Sequence, residues 1–131
     1  MKTLLATLFL SLLNFTSCLT EEEDCELYIC DSGPFFADLD IHVTINSENP
    51  SVPIEVFQGN VEAGVLLFRD TLTSSRAYWM EAGISYSATA RYNYGDHTVI
   101  AFNGTYLDTA NGECDCPEDF GYSRLDMTLR D

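Results

Sequence analysis

From position 38 to 46 apolar and polar residues alternate: Leu39, Ile41, Val43 and Ile45 fall on one side, Asp40, His42 and Thr44 on the other. A period of two marks a strand with one buried face. The same period returns where Ile84, Tyr86, Ala88, Ala90 and Tyr92 oppose Ser85, Ser87, Thr89 and Arg91, and where Leu125, Met127 and Leu129 alternate with Asp126 and Thr128. Shorter strands are expected at Ile54 and Val56 after the prolines Pro50 and Pro53, at 65–70, at 77–81 around Trp79, and at 99–103. Tyr94-Gly95-Asp96-His97 reads as a two-residue hairpin, with glycine at the first central position suiting a type II′ turn. No helical period is sustained from position 25 onward. Seven or eight short strands in about a hundred residues point to an all-β sandwich.

Residues 1–24 break the pattern. Lys2 gives a positive start, positions 4–15 are apolar except for Thr7, Ser11 and Asn14, and Phe15-Thr16-Ser17-Cys18 closes the run. A charged start, a short apolar core and a small-residue exit describe a secretory signal. The run is shorter than the ~20 residues that a spanning helix needs. With Cys18 at its exit it resembles a bacterial lipoprotein signal, in which that cysteine is acylated and becomes the first mature residue. The following Glu21, Glu22, Glu23 and Asp24 resemble the run that directs Bacteroidetes lipoproteins to the cell surface. The resemblance implies a signal peptide at 1–17, a lipidated acidic tether at 18–24 and a single domain at 25–131. It places the protein at the outer membrane, facing outward, with the membrane as a partner through its lipid. An ordinary secretory signal cleaved near Ser17 is the alternative.

The net charge is −15, and every positive residue after Lys2 is an arginine: Arg69, Arg76, Arg91, Arg124 and Arg130. Such a balance repels polyanions, so nucleic acid is not an expected partner. If Cys18 carries lipid, Cys25, Cys30, Cys114 and Cys116 remain. Bridging Cys114 to Cys116 across Asp115 alone would close a very small ring. The expected staple therefore joins Cys25 and Cys30 each to one of the later two, as export into an oxidising compartment favours. A four-thiolate zinc site is the rival, with poor spacing for that metal. No metal or other cofactor is expected.

Candidate chemistry is sparse. His42 lies on the polar side of its strand and His97 at the hairpin edge, and no nucleophile, zincin or phosphate-loop motif occurs. A non-catalytic role is expected. Glu113, Asp115, Glu118 and Asp119 surround the later cysteines, a cluster that could hold calcium but that also arises from an acidic composition. Asp31, Asp38 and Asp40 are a weaker version. Most aromatic residues fall on or beside the inward phase of a strand, the exceptions being Phe35-Phe36 and Phe120 with Tyr122. The segment at 83–90 resembles the E–F corner of immunoglobulin-like and fibronectin type III domains, which implies that Tyr86 bonds back to the upstream backbone. Transthyretin-like sandwiches fit equally. The triplets at Thr71 and Thr109 resemble the O-glycosylation acceptor of exported Bacteroidetes proteins, and Asn103-Gly104-Thr105 fits the N-glycosylation pattern. The role expected is a surface interaction or structural module of adhesin or fimbrial type, with glycan capture for polysaccharide uptake as the alternative. An exposed aromatic platform would favour sugar, and an exposed apolar strand edge would favour assembly with protein.

Overall fold

The computed structural model describes residues 25–130. The leader at 1–17, Cys18 and the acidic residues Glu21, Glu22, Glu23 and Asp24 lie outside the described residues, as does Asp131. Nine strands follow in chain order: β1 (Phe36–His42), β2 (Val52–Gln58), β3 (Val65–Leu72), β4 (Arg76–Glu81), β5 (Ile84–Tyr94), β6 (His97–Leu107), β7 (Ala110–Asn111), β8 (Pro117–Glu118) and β9 (Gly121–Asp126). They form a three-stranded sheet in the order β4-β1-β9, a four-stranded sheet in the order β3-β2-β5-β6, and a short β7-β8 ribbon. Among the described residues only the β1–β9 pairing is parallel.

Alternation builds the core between the sheets. Ala37, Leu39 and Ile41 of β1 face Val52, Ile54 and Val56 of β2 and Tyr86, Ala88, Ala90 and Tyr92 of β5, with Leu125 and Met127 closing one side. Each large aliphatic side chain so buried contributes about 1.5–3 kcal/mol. The protein is an all-β sandwich. Within the four-stranded sheet β2 pairs with β3 as well as with β5.

Two strand ends differ from the alternation. β1 stops at His42, because the Val43 N–H donates to the Ser75 hydroxyl at 3.3 Å and the Thr44 N–H to the Tyr92 hydroxyl at 3.1 Å. Ile45 is consequently exposed. The Asn46 side-chain oxygen then accepts the N–H groups of Glu48 and Asn49, and buried Asn49 exchanges two hydrogen bonds with the Asn93 backbone. The last strand runs from Gly121 to Asp126 and does not continue through the alternating Met127, Thr128 and Leu129. Past it, the Asp126 carboxylate accepts from both the N–H and the hydroxyl of Thr128, bending the chain out of the ladder. Those bonds outweigh a small burial penalty and hold the Asp126 pKa below its ordinary value.

The β5–β6 hairpin turns at Gly95, with φ 61°, between paired Tyr94 and His97. Side chains close both flanks of the sandwich. On one, the Ser123 hydroxyl donates to the Tyr106 carbonyl at 2.9 Å; on the other, Tyr78 donates to the Asp70 carboxylate at 2.6 Å. Burial, then the bond and charge of Asp70, push the Tyr78 phenol up to about 12. Cys25 is bridged to Cys114 and Cys30 to Cys116, fastening the segment before β1 to the turn between β7 and β8.

Tyr86 is buried and donates its hydroxyl to the Glu81 carbonyl at 2.8 Å, across the turn made by Gly83 at φ 80°. Burial, then the Glu81 charge, raise its pKa. Tyr86→Phe keeps the ring and leaves the carbonyl desolvated and unpaired, an expected loss of roughly 1–3 kcal/mol. Tyr94→Phe, beside the exposed hairpin, should stay within about 0.5 kcal/mol. Denaturant midpoints with disulfides intact give the comparison. Equal and negligible losses would remove the corner as a stabilising element.

Candidate binding face on the three-stranded sheet

The alternation that buries Ala37, Leu39 and Ile41 turns Phe36, Asp38, Asp40 and His42 to the outside of β1. Neighbouring strands lie about 4.8 Å apart, so residues in register become lateral neighbours. Asp38 is in register with Trp79 on β4 and with Tyr122 on β9, and Asp40 with Ala77 and Arg124. A carboxylate thus stands between two aromatic residues. Trp79 is 49% exposed and Tyr122 55%.

The aromatic surface continues toward the start of β1. The Phe36 and Trp79 rings lie within 16° of parallel at a centroid separation of 6.3 Å, and Phe120 tilts against Trp79 at 5.1 Å. Phe120 is 80% exposed and its backbone is left-handed, with φ 71°. That region costs a non-glycine residue of order 1–2 kcal/mol. Phe120 is held there by its N–H, which donates to the Phe36 carbonyl at 2.8 Å, while Asp119 accepts the Phe36 N–H at 2.6 Å. The strained residue is therefore the one whose ring extends the platform. A hollow of about 360 Å³ adjoins it, lined by Tyr28, Asp31, Phe35 and Glu118 beside the Cys30–Cys116 bridge.

Asp40 has partners of its own. Its Oδ2 accepts the Tyr122 hydroxyl at 2.9 Å and lies 2.6 Å from His42 Nε2 and 3.6 Å from Arg124 Nε. Partial burial opposes ionisation, but the bonds from Tyr122 and His42 and the charges of His42 and Arg124 outweigh it and hold the pKa below the ordinary carboxylate value. Arg124 also donates to the Tyr122 hydroxyl at 3.0 Å, its guanidinium carbon 6.0 Å from that ring's centre. His42 is thus engaged with Asp40, whereas His97 is an exposed hairpin residue 3.2 Å from Asp96.

Among the described residues, no three His, Cys, Asp or Glu side chains are grouped to hold a metal, and no helix is long and apolar enough to cross a membrane. Thr71 is exposed on β3, and Thr109 is half-buried just before β7. The outer face of the four-stranded sheet exposes a second set of apolar residues: Ile100, Phe102 at 74%, and Tyr106.

Trp79 departs from the expectation that most strand aromatics point inward. On β4 Tyr78 and Met80 are the half-buried pair, and Trp79 shares the outer phase with Glu81. That shared phase was the available signal. The competing one was Arg76, a polar residue in the inner phase whose guanidinium reaches Asp70 at 2.9 Å instead of entering the core. Comparison of the chain with protein-family models, curated proteins and solved structures found no match.

Proposed function

We propose that this protein is a non-catalytic interaction module of the bacterial cell surface, and that its aromatic face captures glycan. One observation carries the reading: Trp79, Asp38 and Tyr122 in one exposed lateral row, extended by Phe36 and Phe120. A pyranose ring has a face of C–H bonds, which the negative face of an aromatic ring attracts, and a carboxylate beside it accepts hydroxyl hydrogens. An open sheet face accommodates a chain of sugars without enclosing it. The groups that could do acid–base chemistry there, Asp40, His42 and Tyr122, bond to one another.

Trp79 is the sole tryptophan, so fluorescence excited at wavelengths where the seven tyrosines do not absorb reports on this face. Affinity electrophoresis through gels containing soluble polysaccharides, paired with fluorescence titration, tests the reading. Retarded migration with a Trp79 spectral change supports it, and unaltered migration in every polysaccharide overturns it. A second reading, assembly with other surface proteins of adhesin or fimbrial type, is favoured by the apolar Ile100, Phe102 and Tyr106 on the opposite face.

The proposed address is the outer side of the outer membrane, with lipid on Cys18 and the acidic residues 21–24 as the export run. Cys18→Ala should abolish metabolic fatty-acid labelling and release the protein from the membrane fraction. Labelling that survives the substitution would sink the anchor.

A further inference from the structure

Asp38 and Asp40 are successive outward carboxylates on one strand, yet their surroundings differ. Asp40 has a cation: Arg124 lies 3.6 Å away and over the Tyr122 ring. Asp38, one row along between Trp79 and Tyr122, has no hydrogen bond or ion pair from its carboxylate among the described residues. The sheet therefore shows at Asp40 how a positive group is held between a carboxylate and an aromatic ring, and presents the same two components at Asp38 without the cation. Aromatic faces attract ammonium groups, most strongly when a tryptophan is among them. The neighbouring charges have the same sign as Asp38. Glu81 is in register with Phe36, Asp119 holds the Phe36 N–H, and Glu118 lines the adjoining hollow. Arg124, the cation in reach, is engaged with Asp40 and Tyr122.

Resting on the glycan reading above, we infer that this face selects glycans with free amino groups, polymers of unacetylated hexosamine, over neutral and acidic ones. An ammonium on the sugar ring sits at Asp38 while the C–H faces of that residue and the next lie on Trp79 and Phe36. N-Acetylation removes the charge and adds bulk where the carboxylate stands. Uronate or sulfate groups would meet Asp38, Glu81 and Asp119 as like charges, which disfavours them in any register.

The test titrates Trp79 fluorescence at about 0.15 M salt, where distant charges are screened. The probes are equal-length oligomers of glucosamine, N-acetylglucosamine, glucose and galacturonate, with oligolysine as a cation that is not a sugar. Glucosamine oligomers should bind about tenfold more tightly than the acetylated and neutral ones, as one charge-assisted contact provides. Asp38→Asn should erase that advantage, so that glucosamine and glucose oligomers bind the variant with equal affinity. Equal affinity for glucosamine and glucose oligomers overturns the inference and leaves the glycan reading standing. Oligolysine binding as tightly as glucosamine, insensitive to Asp38→Asn, overturns it in favour of general attraction to an acidic protein. If no oligosaccharide binds at all, the glycan reading itself fails.

Discussion

Trp79→Ala should weaken glycan binding by roughly 30- to 150-fold while leaving the fold in place. About half of the tryptophan surface is open to a ligand, and covering on the order of 100 Å² of ring at about 25 cal/mol per Å² stabilises a complex by roughly 2–3 kcal/mol. The covered half of the ring lies against Phe36 and Phe120 on the same outer face and not in the core, so its loss lowers stability without opening the sandwich. The unfolding midpoint should therefore fall by the equivalent of roughly 1–3 kcal/mol. Since the variant has no tryptophan, calorimetry or affinity electrophoresis replaces fluorescence. Phe102→Ala, at a still more exposed aromatic on the other sheet, is the control and should leave binding intact. Equal losses in the two variants, or none in either, would detach sugar binding from this face.

Removing both disulfides is the second large effect, expected to cost about 2–5 kcal/mol. The bridges span 89 and 86 residues, almost the whole described domain, so each restrains the unfolded chain over a long loop. Their loops nearly coincide, and the two contributions will not add in full. Residues 25–32 are exposed and contribute no strand, so the bridges are their main attachment to the sandwich. Hydrogen exchange on the Cys-to-Ala variant should show loss of protection concentrated there and around 112–118, with β1, β2 and β5 still slowest. Denaturant midpoints that coincide with and without reductant would contradict this, as would uniform loss of protection across the sheets.

The sandwich was legible because burial alternates throughout β1 and from Ile84 to Tyr92 of β5 except at Ser87, which is buried on the polar phase. Tyr86 was legible for a local reason: its partner at Glu81 is five residues away across a glycine turn. The end of β1 was not, because the groups that end it, Ser75 and Tyr92, are far off in sequence; β9 ends on the bonds from Thr128 to Asp126, which apolar alternation does not report. Buried Tyr92 is the strongest instance. It donates to the Met127 carbonyl at 2.9 Å and accepts from Thr44, joining three segments that no local pattern connects. On β6 Val99, Ile100, Ala101 and Phe102 are apolar in both phases, which hides the face that is exposed. The binding row is harder still. Phe120 and Tyr122 stood out individually, but their meeting with Trp79 across Asp38 depends on β1 pairing with β4 on one edge and β9 on the other. That is a property of register between segments some forty residues apart or more.

The staples also determine how the domain bears a mechanical load. Tension arriving from the N-terminal side of Cys25, as a lipid anchor in a moving cell surface would deliver it, crosses at once to Cys114 and is divided again at Cys30 and Cys116. From Cys30 the chain runs on to the start of β1, and from Cys116 to the start of β9. Those two strands are parallel, with Ala37 beside Gly121, so the pull reaches both at the same end and in the same direction. The strands are drawn together instead of being slid past each other, and the ladder between them is spared shear.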